Sequence, residues 1–124
     1  MTGSFHRPAI VLFAHGSRDP QWAAPLQALQ AAVQRHAGPG RAVRVAYLER
    51  MAPTLAEVLD ELAASGHGRI DLVPVFWAAG GHVLQDLPAL IDSARGRYPA
   101  LDVRVQPALS GWPGIMDWLA ERIV

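Results

Sequence analysis

Four segments of the chain carry the hydrophobic patterns of β-strands. PAIVLFA at 8–14 is apolar throughout and IDLVPVF at 70–76 is close to it, whereas RAVRVAY at 41–47 and LDVRVQ at 101–106 alternate between apolar and polar residues. Continuous apolar runs are typical of strands covered on both faces, and alternating runs are typical of strands at the margin of a sheet. The first and third strands are therefore predicted to be central, which gives the spatial order 2-1-3-4.

Between and after these strands, apolar residues recur every three or four positions, which predicts four helices. The periodic residues are Trp22, Leu26, Leu29 and Val33, then Leu55, Val58, Leu59 and Leu62, then Leu87, Leu90, Ile91 and Ala94, and finally Ile115, Leu119 and Ile123. The resulting order is βαβαβαβα. Because crossovers between parallel strands are right-handed, this order predicts a three-layer α/β fold with a four-stranded parallel sheet and helices on both faces.

Residues at the helix ends support this assignment. Asp19 before Pro20 is typical of an N-cap with proline at the first helical position, and Pro53 is expected to open the second helix in the same way. Gly38 and Gly66 stand where the first two helices should stop. Pro74 removes a hydrogen-bond donor from a central strand, so we expect a local bulge there.

Composition limits the classes of protein that fit. The 124 residues, 51% of them hydrophobic, suit a single domain over residues 1–124 with a substantial core. Eleven basic and eleven acidic residues, with arginines scattered along the chain, argue against a nucleic-acid partner. No apolar run approaches the roughly 20 residues of a membrane helix, and no signal peptide is evident, so a cytoplasmic location without membrane contact is expected.

Two histidines and one glutamate are predicted to meet at one edge of the sheet. His15 follows the first strand, His82 follows the third, and Glu49 follows the second. In an open parallel sheet, ligands bind beyond the carboxyl ends of the strands where the strand order reverses, which here is between strands one and three. The chain has no cysteine, so a bound metal would need nitrogen and oxygen ligands, and this set suits divalent cobalt, iron, nickel or zinc.

Other interpretations of these residues stay open. A single histidine at a strand end is often structural, and Glu49 fits a solvated loop as well. The sequence has no GxGxxG pattern after the first strand and no GxxxxGK[ST], so it gives no support for nucleotide binding. His6, His36 and His67 fit surface or helix-end positions better than the site.

Several longer motifs resemble those of the short sirohydrochlorin chelatases, class II chelatases of cobalamin and sirohaem biosynthesis. The motifs are HGSRDP, then YLE before a helix opening with P-T-L, then GGH-x-x-x-D-L-P, and the similarity runs through VLFAHGSRDP, YLERMAPTLAEVLDEL, VPVFWAAGGHVLQDLP and the last helix. The resemblance implies a flavodoxin-like chelatase half-domain. It also implies a homodimer, because short members correspond to half of a two-domain chelatase.

The implied reaction is insertion of a divalent metal, Co²⁺, Fe²⁺ or Ni²⁺, into sirohydrochlorin or a related acidic tetrapyrrole without ATP or an organic cofactor. The resemblance assigns metal binding to His15, His82 and Glu49, and makes the two histidines catalytic. Candidate substrate-binding residues around them are Ser17, Arg18, Trp77, Gly80 and Gly81.

Arg18 has the charge to bind a substrate carboxylate. Trp77 fits a core or interface position, but because it precedes AGGH it is also a candidate to line the cleft. It departs from the family pattern, in which a smaller aliphatic or phenylalanine side chain is expected. One alternative function is a non-catalytic metal chaperone or tetrapyrrole-binding protein that uses the same rim, and another is an interaction module without metal.

Overall fold

A four-stranded parallel sheet lies at the centre of the computed structural model, which describes residues 7–78 and 80–124 and only the backbone of residues 81–84. The strands are β1 (Ala9–Ala14), β2 (Val43–Tyr47), β3 (Arg69–Pro74) and β4 (Asp102–Val105). They lie in the order β2-β1-β3-β4, and each neighbouring pair is parallel. The predicted order 2-1-3-4 is confirmed, because the two most continuous apolar segments form the inner strands.

Helices connect the strands in the predicted alternation. They are α1 (Ala24–Ala37), α2 (Leu55–Ala64), α3 (Gly81–Arg97) and α4 (Ile115–Ile123). Short 3₁₀ turns at Pro20–Ala23 and Leu109–Gly111 precede α1 and α4. Within the described residues, no helix has both the length and the apolar character needed to cross a bilayer.

The two faces of the sheet carry separate clusters of buried side chains. Val11 and Phe13 of β1 are fully buried in a cluster that includes residues of α2 and α3. Leu12 and Ala14, which alternate with them, belong to a second cluster that includes Leu26 of α1. Alternation along a strand sends successive side chains to opposite faces, so β1 is covered on both sides as its sequence predicts.

The face that carries α1 is only partly covered beside β3. No residue of α4 is buried, and an apolar groove of about 740 Å³ separates this helix from the sheet and from α1. We call it the α4 groove; its lining includes Ile10, Leu12, Leu29, Val33, Val73, Leu109, Trp112, Ile115 and Trp118. The ion pair between Arg41 and Asp71, 3.4 Å apart, lies at its margin.

Most of the predicted helix ends are confirmed, and one is wrong. Asp19 accepts a hydrogen bond from the Gln21 N–H (3.0 Å), and Gly38 follows the end of α1 with φ of 89°. Pro53, however, does not open α2. Thr54 is the N-cap, because its hydroxyl accepts from the Glu57 N–H (3.2 Å) while the Glu57 carboxylate accepts from the Thr54 N–H (2.8 Å).

The prediction of a bulge at Pro74 is also wrong. The register between β1 and β3 runs without interruption to the pair Phe13 and Pro74. The Val75 N–H donates to Phe13 O (2.7 Å), so the missing donor of Pro74 faces the opposite side, toward β4. Because β4 ends at Val105, the end of β3 needs no donor there, and proline fits without distortion.

Candidate metal-binding site

The pairing of β1 with β2 continues beyond the strands and brings two predicted ligands together. The Leu48 N–H donates to Ala14 O (2.9 Å), and the Glu49 N–H donates to His15 O (3.1 Å). These two bonds fix the loops after β1 and β2 side by side at the carboxyl edge of the sheet. His15 and Glu49, which are 34 positions apart in sequence, are therefore neighbours at this edge.

Gly16 makes this close approach possible. Its φ is 98°, a left-handed conformation that side-chain-bearing residues rarely adopt. A Cβ built on Gly16 would collide with the carbonyl oxygen of Glu49. The missing side chain thus lets the first loop turn away from the sheet while it stays in contact with the second.

The side chains of His15 and Glu49 face each other. Nε2 of His15 lies 3.8 Å from Oε1 of Glu49, and the two side chains are 43% and 46% exposed. Two ligands of one zinc-like ion, each about 2.0 to 2.2 Å from the metal, lie roughly 3.0 to 3.4 Å apart at common coordination angles. A small side-chain movement would therefore allow both atoms to bind the same ion, and solvent reaches them directly.

The third predicted ligand, His82, is described only in its backbone. It is the second residue of α3, which follows β3, and β3 lies next to β1 in the sheet. Its side chain lies outside the described residues, so its approach to His15 stays a prediction. Among side chains that the structure describes, no group of three or more histidine, aspartate or glutamate residues could hold a metal ion.

The candidate substrate-binding residues have different surroundings. The hydroxyl of Ser17 accepts from the Asp19 N–H (3.1 Å), which places it in the turn that leads to α1. Arg18 is exposed. Trp77 is 53% exposed in the loop after β3, and its carbonyl accepts from the Ser110 N–H (2.9 Å).

The glycines at the start of α3 are described in part. Gly80 is the N-cap of α3 with an ordinary φ of −74°, and the space around it is open. Gly80 therefore needs no glycine-specific conformation, although a ligand can approach its backbone closely. Gly81 is described only as the first residue of that helix.

Sequence reasoning missed one residue of this edge, Arg50. Its Nε lies 3.5 Å from Oε1 of Glu49, the oxygen that also faces His15. The φ of Arg50 is 68°, the one positive value at a non-glycine residue in the described part of the chain. No sequence pattern predicts an arginine in the left-handed backbone conformation. The residues around Arg50, LERM at 48–51, therefore did not indicate this contact.

An open pocket of about 600 Å³ lies beside the same edge of the sheet. Its lining includes Ala14 and Val75, which stand at the ends of the two central strands, and Trp22 and Leu29 from the region of α1. Leu29 also lines the α4 groove, so the two cavities adjoin. An open pocket with apolar lining residues therefore lies near the edge of the sheet that carries the candidate metal ligands.

The fold and this edge define a class: an α/β protein with an imidazole and a carboxylate at the carboxyl ends of adjacent parallel strands, where such sheets bind ligands. The CbiX family model matches residues 9–124. The chain belongs to the CbiX family.

Two relatives illustrate the similarity in sequence. A sirohydrochlorin cobaltochelatase of Methanopyrus kandleri is 35% identical over 83 residues, which are 67% of this chain and 57% of that protein. The chain therefore spans little more than half the length of that relative. A sirohydrochlorin cobaltochelatase of Saccharolobus islandicus is 33% identical over 100 residues, 77% of this chain and 76% of that protein.

Solved structures agree with the fold. A CbiX protein of Marinobacter aquaeolei has a TM-score of 0.75 at 26% identity and covers 94% of this chain and 98% of its own. SirB of Bacillus subtilis with Fe³⁺ has a TM-score of 0.77 at 21% identity, covering 94% of this chain and 46% of SirB. SirB of Bacillus subtilis subspecies spizizenii in complex with cobalt has a TM-score of 0.71 at 24% identity and covers 82% of this chain and 43% of its own. At these identities the SirB structures support the fold alone.

Proposed function

We propose that this protein inserts a divalent metal, Co²⁺ or Fe²⁺ and also Ni²⁺, into sirohydrochlorin or a related tetrapyrrole without ATP. The observation that carries the proposal is the pair formed by His15 and Glu49, 3.8 Å apart at the carboxyl edge of the sheet, in a chain of the CbiX family. Relatives at 33 to 35% identity are named sirohydrochlorin cobaltochelatase.

The proposed ligands suit a metal that must be delivered rather than retained. One imidazole and one carboxylate bind first-row divalent metals, and His82 is proposed as the third ligand. A site with so few protein ligands leaves coordination positions open. Through those positions the pyrrole nitrogens of the macrocycle replace the protein ligands one by one.

The exchange balances in charge and in protons. One divalent cation enters the macrocycle, and two protons leave its pyrrole nitrogens. The imidazole of His15 or His82, or the carboxylate of Glu49, accepts these protons and releases them to the solvent that reaches this edge. Because two protons leave for each divalent cation that enters, the proposed reaction is balanced in charge and needs no redox partner.

An insertion assay tests this proposal directly. The purified protein is mixed with sirohydrochlorin and Co²⁺ in the absence of nucleotide, and the absorbance change is compared with the uncatalysed rate. Acceleration supports the proposal, and parallel reactions with Fe²⁺ and Ni²⁺ in competition rank the metals. Binding of metal or macrocycle without acceleration would instead indicate a metal chaperone or a tetrapyrrole-binding protein.

We also propose that the active form is a homodimer. The α4 groove is apolar, and Trp112 and Trp118 beside it are 38% and 51% exposed. A flat macrocycle needs a wall on each side, and a second copy related by two-fold symmetry would supply one. Both tryptophans are therefore available to contact a partner.

A further inference from the structure

One carboxylate oxygen at the edge of the sheet faces two different partners. Oε1 of Glu49 is 3.8 Å from His15 Nε2 and 3.5 Å from Arg50 Nε. The side chains of Glu49 and Arg50 are 46% and 45% exposed, so both reach solvent at this edge. The oxygen that would bind a metal beside His15 is therefore already next to a permanent cation.

The backbone explains why two consecutive side chains meet. In extended backbone, successive side chains point to opposite sides. Arg50 has a φ of 68°, which breaks this alternation and brings its guanidinium beside Glu49. The loop is held in place where the Tyr47 N–H donates to Pro53 O (2.9 Å). Glycine adopts such a conformation most easily, yet the position carries a long cationic side chain.

We propose that Arg50 changes partners during the reaction and selects an anionic macrocycle. In the free protein its guanidinium accompanies Glu49. When a divalent metal binds to Glu49 and His15, the metal displaces Arg50 from Oε1. The released guanidinium then binds a carboxylate of the acidic tetrapyrrole, a pairing for which its planar set of donors is well suited. This inference rests on the proposed function and adds a residue that determines specificity.

The proposal requires effects of opposite sign on the two ligands. A guanidinium next to Glu49 competes with the metal and repels it, so Arg50 weakens metal binding to the free protein. The same charge attracts the carboxylates of the macrocycle, so Arg50 strengthens substrate binding. A residue that only supported the loop would affect both ligands in the same direction.

The test uses Arg50→Gln, which keeps a long side chain and removes the charge. We expect Co²⁺ to bind roughly two- to fivefold more tightly, as for removal of an exposed charge pair. We expect the KM for sirohydrochlorin to rise by about five- to tenfold while kcat changes less. Arg50→Lys should restore part of the KM because it restores the charge.

Two further variants complete the design. Arg50→Gly removes the charge and also suits the left-handed backbone. Like Arg50→Gln, it should strengthen Co²⁺ binding and weaken macrocycle binding, and it should do so without loss of stability. Arg44→Gln is the matched control. Arg44 near the start of β2 forms a similar exposed ion pair with Glu61 of α2 (3.1 Å), and its replacement should change the binding of neither Co²⁺ nor the macrocycle.

The outcomes separate this inference from the proposed function. If the unmodified protein binds Co²⁺ and inserts it, but Arg50→Gln changes neither affinity or weakens both, the role of Arg50 is refuted and the proposed function stands. If the unmodified protein neither binds Co²⁺ nor accelerates insertion, the role of Arg50 and the proposed function are both refuted. Tighter Co²⁺ binding with a raised KM supports the exchange.

Discussion

Among single residues, the five histidines of the chain are expected to differ sharply in importance. We predict that His15→Ala lowers the insertion rate by at least about 100-fold, because it removes a ligand and a candidate proton acceptor. His36→Ala and His67→Ala should leave the rate nearly unchanged. His36 is exposed in the last turn of α1, and His67 lies just before β3, so both belong to the amino end of the sheet.

The same three variants check the location of the site. Insertion kinetics are compared after circular dichroism has shown that each variant folds. Loss of most activity in His36→Ala or His67→Ala, with the fold intact, would mean that the reaction takes place at the opposite end of the sheet.

Gly16 is predicted to be a positioning residue for the metal ligands. Gly16→Ala and Gly38→Ala both place a side chain at a positive φ, which should lower the free energy of unfolding by about 1 to 3 kcal/mol in Gly38→Ala and by more in Gly16→Ala. Only Gly16→Ala also forces a Cβ against the Glu49 carbonyl, because the space around Gly38 is open. We therefore expect Co²⁺ binding to weaken by roughly tenfold or more in Gly16→Ala alone, measured by titration calorimetry.

Equal Co²⁺ affinity in the two glycine variants would contradict a role for Gly16 in holding the loops together. The sequence allowed the neighbourhood of His15 and Glu49 to be predicted, because both follow adjacent parallel strands. It did not reveal Arg50 as part of that geometry, since the φ of such a residue depends on how two distant loops meet.

At the level of single elements, the start of α2 carries a pH-dependent contribution to stability. Hydrogen bonds from the Thr54 backbone N–H, and secondarily from its side chain, lower the pKa of Glu57 below its ordinary value. A carboxyl group with a lowered pKa stabilises the fold above its unfolded-state pKa, and this contribution is lost as the pH falls through the folded-state value.

We predict that Glu57→Gln destabilises the protein at pH 7 and that the difference from the unmodified protein shrinks toward zero in acid. Urea unfolding measured across the acidic range checks this, with Glu121→Gln on α4 as the control. Glu121 is 76% exposed and pairs only weakly with its neighbour Arg122 (3.6 Å), so its replacement should have little effect at any pH. A pH-independent effect of Glu57→Gln would contradict the capping role.

Helices and strands differed in how well their sequences predicted them. The inner strands and the buried face of α2 follow directly from their patterns, since Leu55, Leu59 and Leu62 are fully buried as the period requires. The last helix also forms where the period predicts it, but Ile123 is 81% exposed. Periodicity indicates which face of a helix is apolar, whereas what covers that face depends on surfaces elsewhere.

For the molecule as a whole, the order of strands was predictable because a strand that is covered on both faces is apolar along nearly its whole length. The position of the candidate site followed from that order and from the ends of the strands. The α4 groove was not predictable, because local patterns do not report how tightly a helix packs. The sequence also did not indicate that Arg41 and Asp71 would lie at the margin of this groove.

The α4 groove leads to the last prediction, that the protein is a homodimer in which the partner covers this surface. Trp112 and Trp118 are 38% and 51% exposed at a groove of about 740 Å³ whose other lining residues are mostly apolar. Exposed apolar surface of this kind marks interaction sites. Aromatic residues at the centre of an interface dominate its stability. Light scattering at micromolar concentration should therefore give twice the mass of the chain.

Trp118→Ser should shift the protein to a monomer and lower insertion at the same protein concentration, because the partner's wall beside the macrocycle is lost. Trp22→Ser is the matched control for assembly, since Trp22 is 48% exposed but lies on the 3₁₀ turn before α1. Its mass by light scattering should stay that of the dimer. If dilution yields a monomer with undiminished activity per chain, the partner has no part in the mechanism, and the apolar groove must serve another purpose.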